Sequence, residues 1–194
     1  MIETDVLLVK RAQKGDIGAF EALYSQHLKR VYNIAWRMMG NDADAQDVSQ
    51  EVMLKAWRAL PGFKLDSSLG TWLYRITLNA CSDELRRRRT KTISVEEMAE
   101  KGQELTSGSF EESAVNTESI TQAIGQLSEE YRAAVALRDI EGYTYEEIAQ
   151  ILRCPIGTVR SRISRAREQL RNLLNKSGTF DALSPSKIAE RGRT

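Results

Sequence analysis

The sequence of 194 residues predicts an all-α fold, with two small helical domains joined by a flexible linker. Apolar residues recur at the helical spacing of three and four along most of the chain, and the β-branched alternation typical of strands is almost absent. Only 12 glycines and 3 prolines interrupt this pattern. Residues 91–116 lack strong periodicity and are rich in Glu, Ser, Thr and Gly, which predicts a linker between domains over 1–90 and 117–176.

Charge is segregated along the chain, although the formal net charge is only +1. Residues 153–176 hold seven Lys and Arg against one acidic residue, and residues 71–92 hold six against two. Residues 93–130 hold one Lys against nine acidic residues. Two basic blocks separated by an acidic one predict two nucleic-acid surfaces and a linker that DNA repels.

The sequence gives no sign of a metal site or a membrane segment. Cys81, Cys154 and the single histidine, His27, lack metal-ligand spacing, and both cysteines are interpreted as structural. No apolar run approaches membrane-spanning length, and no signal peptide is visible. We therefore expect a cytoplasmic protein that is not an enzyme, has no cofactor and does not insert directly into a membrane.

Three helices are predicted first, over 5–13, 19–38 and 44–60. Turn-forming residues at 14–16 and 40–42 separate them. The apolar set of the first helix is Val6, Leu7, Leu8 and Val9. The second helix carries a long apolar stripe, made of Ala19, Phe20, Leu23, Tyr24, Val31, Ile34, Ala35 and Met38.

The third predicted helix carries a polar stripe opposite its apolar side. The apolar side consists of Val48, Val52, Ala56, Ala59 and Leu60, and the stripe consists of Asp47, Gln50 and Glu51 beside Asp44. One interpretation is a solvated face, because Glu51 and Lys55 have the spacing of an ordinary helical ion pair. The other is a surface for a basic partner.

A fourth helix over 69–89 has one polar strip between two apolar stripes, typical of a helix that presents a platform to a ligand. The strip consists of Arg75, Asn79, Ser82 and Arg86. Phe63, in the loop before it, is either a core plug or a ring that stacks on an unpaired base. The run 86–89 is four arginines, either a phosphate-binding cluster or a solubilising helix terminus.

Residues 143–171 predict a helix-turn-helix. Thr144 and Glu147 have the spacing of a capping box, which predicts a helix start. Pro155 disfavours helix at the residue before it and suits the first turn of the next helix. The second helix then has a narrow apolar stripe, consisting of Val159, Ile163, Ala166, Leu170 and Leu173.

The opposite arc of that second helix is polar and basic. It presents Arg160, Ser161, Ser164 and Arg165, with Arg162 and Arg167 on the two flanks. Such a face suits a helix laid in the major groove of DNA. The alternative is a solvated, arginine-rich surface helix.

Three segments resemble bacterial sigma factors. DAQDVSQEVMLKAWRAL at 44–60 resembles the polymerase-binding helix of region 2, and GTWLYRITLNA at 70–80 is similar to the segment that melts the promoter and reads the −10 element. Residues 143–171 resemble the region 4 helix-turn-helix that reads the −35 element. Their order and spacing are similar to those of the extracytoplasmic-function class.

The resemblance implies partners and residue roles. The partners would be core RNA polymerase (through its β′ clamp helices and β flap), promoter DNA and an anti-sigma factor. The stripe of Asp47, Gln50 and Glu51 would bind the clamp helices. The −10 contacts would be Phe63, Arg75, Asn79, Ser82 and Arg86. The −35 contacts would be Thr158, Arg160, Ser161, Arg162, Ser164, Arg165 and Arg167.

Two rival hypotheses come from other functional classes. A helix-turn-helix regulator with an N-terminal sensing or dimerisation domain predicts a cavity within residues 1–90 and DNA binding without polymerase. A phosphotransfer protein would need His27 exposed on a helical bundle. The tail over 177–194 resembles nothing and is expected to be disordered.

Overall fold

The computed structural model describes residues 3–96 and 112–176, and all regular structure in those ranges is helical. The predicted all-α class is therefore confirmed. The helices are α1 (Glu3–Gln13), α2 (Ile17–Met39), α3 (Asp42–Ala59), α4 (Leu69–Glu96), α5 (Glu112–Gly125), α6 (Glu129–Val135), α7 (Tyr145–Leu152) and α8 (Ile156–Lys176). A 3₁₀ turn over Leu60–Gly62 follows α3, and a π-helical turn over Ala136–Ile140 extends α6.

Two helices extend into the segment predicted to be a linker. α4 runs past the predicted domain end to Glu96, and α5 begins at Glu112. The rest of that linker and the predicted tail lie outside the described residues. Within the described ranges, none of the helices has the length and hydropathy needed to cross a bilayer.

Helices α1 to α4 form a bundle around α2. The carboxylate of Asp16 accepts a hydrogen bond from the backbone N–H of Ala19 at 3.0 Å and starts α2. Gly40 ends α2 in the left-handed conformation, with φ of 84°. Asn41 then caps α3 by accepting a hydrogen bond from the N–H of Asp44 at 3.0 Å. These caps explain why the turn at 40–42 falls where the sequence predicts it.

The predicted apolar stripe of α2 is buried in full, which confirms that helical periodicity identified its core face. Two assignments on neighbouring helices are wrong, because Leu7 is 60% exposed and Ala59 is exposed. Leu7 lies in a run of four apolar residues, and consecutive helical positions point in different directions. Only one of the four, Val9, is fully buried.

The helix-turn-helix forms as predicted. The capping box is complete, since Thr144 Oγ1 accepts from the N–H of Glu147 at 3.2 Å and Glu147 Oε2 accepts from the N–H of Thr144 at 2.8 Å. Arg153 ends α7 in the left-handed conformation, with φ of 51°. Pro155 lies just before α8 rather than in its first turn. The predicted α8 stripe faces the core, with Val159, Ile163 and Ala166 buried and Leu170 and Leu173 half-buried.

The two predicted domains pack against each other in one arrangement. α2 contacts α5 and α6, and α4 contacts α7. The buried guanidinium of Arg132 on α6 donates to the backbone oxygen of Met38 at the end of α2. The amide of Asn33 donates to a carboxylate oxygen of Glu141 at 3.1 Å. Sequence periodicity does not predict this closure, because it carries no information about contacts between distant helices.

Candidate nucleic-acid interface

The outward face of α8 is exposed, as predicted. Arg160, Ser161, Ser164 and Arg165 all lie in solvent opposite the buried stripe. Ser161 Oγ donates to the backbone oxygen of Thr158 at 2.9 Å, and Thr158 is half-buried at the start of the helix. This face therefore presents two cations and two hydroxyls, the groups that contact base edges and phosphates in a major groove.

The two flanking arginines are engaged in ion pairs within the second domain. Arg162 pairs with Glu130 at 2.7 Å, and only 21% of its side chain is exposed. Two of the three guanidinium nitrogens of Arg167 donate to the carboxylate of Asp139, with Nε at 3.0 Å from Oδ2. The Asp139 contact raises the pKa of Arg167 above its usual value. A partly exposed ion pair of this kind contributes little to stability.

The polar strip of α4 lines a cavity of about 530 Å³ between the two domains. Arg75, Asn79 and Ser82 face Glu129, Glu130 and Arg162 across it. Asn79 is exposed to this space, whereas the Nε of Arg75 donates to the backbone oxygen of Gln150 on α7 at 3.0 Å. The strip is thus accessible to water but covered by the second domain.

The arginine run at the end of the strip is neutralised by acidic neighbours. Its ion pairs join Arg86 to Asp83, Arg87 to Glu84, Arg88 to Asp44 and Glu84, and Arg89 to Glu129. The hydrogen bond from Arg88 holds the pKa of the Asp44 carboxyl below its usual value. Of the four, Arg86 has the most exposed side chain, at 77%. The run is not a helix terminus, because α4 continues to Glu96, and its ion pairs also disfavour a dedicated phosphate cluster.

Phe63 is packed in the core, as the first of its two predicted alternatives expects. It is 5% exposed, and its ring centroid lies 5.0 Å from that of Trp72. The side-chain amide of Gln13 donates to the backbone oxygen of Phe63 at 2.8 Å and fixes the loop on α1. The ring therefore offers no free face to a base in this arrangement.

The acidic stripe of α3 is exposed beside an apolar groove. Asp47, Gln50 and Glu51 all lie in solvent, and Glu51 also pairs with Lys55 at 2.9 Å. The adjoining groove, of about 310 Å³, is lined mainly by apolar side chains of α2 and α3: Ile17, Phe20, Tyr24, Leu28, Met53, Leu54 and Trp57. Leu28 and Leu54 are 49% and 51% exposed. Exposed apolar side chains of this kind make the groove a candidate interaction surface, which the sequence pattern of either helix alone does not reveal.

A helical bundle with a polar strip, packed on a helix-turn-helix whose second helix has an open basic face, is typical of a two-part DNA-binding transcription factor. The chain matches sigma-70 region 2 over residues 23–91 and sigma-70 region 4 over residues 117–170. It is 40% identical over 178 residues to the RNA polymerase sigma-H factor of Pseudomonas aeruginosa, covering 87% of this chain and 92% of that protein. It is 41% identical over 179 residues to the ECF RNA polymerase sigma-E factor of Escherichia coli (strain K12), covering 87% and 93%.

Solved structures give the same result. The chain resembles the sigma factor RpoE in complex with the anti-sigma factor NepR from Bartonella quintana, with a TM-score of 0.64, 26% identity and coverage of 80% of this chain and 98% of that one. It also resembles CnrH in complex with the cytosolic domain of CnrY, with a TM-score of 0.66, 28% identity and coverage of 90% and 99%.

The chain belongs to the sigma-70 family, in its extracytoplasmic-function group. It is an alternative sigma factor, which binds core RNA polymerase and directs transcription initiation at specific promoters. The rival hypothesis of a phosphotransfer protein fails on geometry as well. His27 is half-buried, and its Nδ1 lies 2.8 Å from the hydroxyl oxygen of Tyr74.

Because the ring of Phe63 is buried, we expect it to stabilise the fold. Phe63→Ala should lower the free energy of unfolding by about 3–5 kcal/mol, because it removes a buried aromatic ring. Phe63→Leu keeps most of the apolar volume and should cost much less. Denaturant unfolding measures both, and permanganate reactivity of a promoter with holoenzyme measures strand opening. A Phe63→Leu variant that is stable yet fails to open the promoter would restore the base-stacking role.

Proposed function

We propose that this sigma factor binds its partners through three separate surfaces. The stripe and groove of α3 bind core polymerase, the polar strip of α4 captures the unpaired −10 strand, and the outward face of α8 reads the −35 element. The proposed domains are region 2 over 1–90 and region 4 over 117–176, with a linker over 91–116. The observation that carries the proposal is that exposed polar groups of α3, α4 and α8 lie opposite the buried stripes that build the core.

The polymerase surface combines charge with apolar area. Asp47 and Glu51 would attract a basic partner and steer its approach. Met53 and Leu54, 40% and 51% exposed, supply apolar contact on the same helix. A helical partner with basic and apolar residues would satisfy both, and the β′ clamp helices are the proposed one. The β flap is the proposed partner of the second domain.

Reversing the charge of the stripe tests this surface. Asp47→Lys/Glu51→Lys should weaken holoenzyme formation at physiological salt by at least about tenfold, because like charges placed at an interface repel. Both residues are exposed, so the fold should be retained. Asp66→Lys/Asp83→Lys makes the same change in net charge on exposed sites of the first domain outside the stripe and the groove, and is the control. Equal binding by the two double variants would mean that the stripe is only a solvated face.

Access to the −10 strip requires the domains to separate. In the closed arrangement, Arg75 is bound to the backbone of α7, and the cavity beside Asn79 is bordered by two carboxylates, those of Glu129 and Glu130. Those carboxylates would repel the phosphates of a DNA strand. We propose that polymerase, by holding each domain at its own site, exposes the strip for DNA.

Asn79 is the residue of this strip with the most direct test. Asn79→Ala should impair promoter opening more than holoenzyme formation, since hydrogen bonds to an extruded base offset part of its unstacking cost. Permanganate footprinting measures opening, and polymerase titration measures assembly. Asn175→Ala, an exposed asparagine near the end of α8, is the matched control. Normal opening by the Asn79 variant would remove it from the site.

Regulation by an anti-sigma factor is a further part of the proposal. The solved relatives described above include an RpoE bound to NepR and a CnrH bound to CnrY, which supports a similar partner here. We place the protein in the cytoplasm, where polymerase and DNA are. It would act by binding alone, leaving the chemistry of RNA synthesis to polymerase.

A further inference from the structure

Tyr145 lies between the core and the outward face of the recognition helix. It is the first residue of α7 and is half-buried, with its ring packed against the core. Two guanidinium groups approach that ring. The Cζ of Arg138 is 4.8 Å from the ring centroid, and the Cζ of Arg160 is 5.7 Å from it. Both distances are within the range of a cation–π contact.

The two arginines differ in what holds them. Arg138 belongs to the π-helical turn and donates to the backbone oxygen of Tyr143 at 2.7 Å. The guanidinium of Arg138, which contacts the Tyr145 ring, is therefore held by the backbone. Arg160 belongs to α8 and is exposed. The ring of Tyr145 is therefore a fixed support for an otherwise mobile side chain.

The ring also borders the basic surface itself. An open concavity of about 390 Å³ is lined by Tyr145 together with Arg160, Ser164, Arg167 and Arg171. Tyr145 thus reaches the surface that carries the basic side chains of α8. A purely structural core aromatic would not border that surface.

We propose that Tyr145 is a positioning residue that holds Arg160 in the orientation from which it reads the −35 element. A free arginine loses rotamer freedom when it binds a base, and a side chain already ordered on a ring loses less. A misoriented guanidinium also forfeits the bidentate geometry on which discrimination between bases depends. The inference rests on the proposed base-reading role of Arg160.

The test separates the ring from the hydroxyl. Tyr145→Phe keeps the ring and removes the hydroxyl, whereas Tyr145→Leu keeps apolar packing and removes the ring. Tyr145→Met is a second ring-less variant in case the first folds poorly. Holoenzyme made with each variant is bound to a library of −35 sequences. Base preference is compared at the base pair where Arg160→Ala loses the most preference relative to the unaltered protein.

We expect Tyr145→Leu to reduce preference at that base pair by roughly two- to fivefold, the range of an exposed cation–π contact, while Tyr145→Phe retains it. The double variant Tyr145→Leu/Arg160→Ala should lose no more than Arg160→Ala alone. The effects of Tyr145→Leu and Arg165→Ala, further along the same face, should multiply as independent changes do.

Three results would overturn the inference. Equal weakening of all sequences by Tyr145→Leu would assign Tyr145 to general binding or folding. Loss of preference in Tyr145→Phe would assign the effect to the hydroxyl. If Arg160→Ala itself leaves every preference unchanged, the base-reading role fails first, and the inference fails with it.

Discussion

Among the described residues, Arg132 is the buried charged side chain, and its guanidinium joins the two domains of this sigma factor. Arg132 is 9% exposed, and burial lowers its pKa. Three backbone oxygens offset part of the cost of burying its charge: those of Met38 at the end of α2, Gly125 at the end of α5, and Leu127. The Nε of Arg132 is buried without a hydrogen-bond partner in the part of the chain that the structure describes. Carbonyls at helix C-termini lack helical partners and carry partial negative charge, so one cation satisfies the ends of two helices. Arg132 therefore fixes α6 on the end of α2, and the hydrogen bonds from Asn33 to Glu141 and from Arg75 to Gln150 join the two domains as well.

The position of each proposed DNA surface follows from this contact. With α6 held against the end of α2, the polar strip of α4 faces α6 and α8 across the interdomain cavity, whereas the outward face of α8 remains open. In the closed chain, the proposed −35 surface on α8 is thus open, and the proposed −10 strip on α4 is covered. When two weak DNA-binding sites are linked in one chain, binding at the first raises the effective concentration of the second. This increase in DNA affinity requires that both domains are held at the right separation.

Sequence periodicity predicted the parts of the molecule that depend on local order. The stripes of α2 and α8 and the capping box at Thr144 follow from spacing along one helix. It left two alternatives open at Phe63, because the burial of a loop aromatic depends on Trp72 and on Gln13, which is distant in sequence. It also missed the apolar groove, which forms only where α2 and α3 lie side by side. Roles that depend on contacts between distant segments cannot be derived from the period of either segment.

We propose that the free protein is closed and that polymerase opens it. Donor and acceptor dyes at Lys29 on α2 and Glu168 on α8, both exposed, would report the separation of the two domains by single-molecule energy transfer. Cys154→Ser in the same chain would prevent labelling of the half-buried native thiol. We expect one short distance between the two dyes in the free protein and a longer one in holoenzyme. The same distance in both states, or a long distance already present in the free protein, would contradict it.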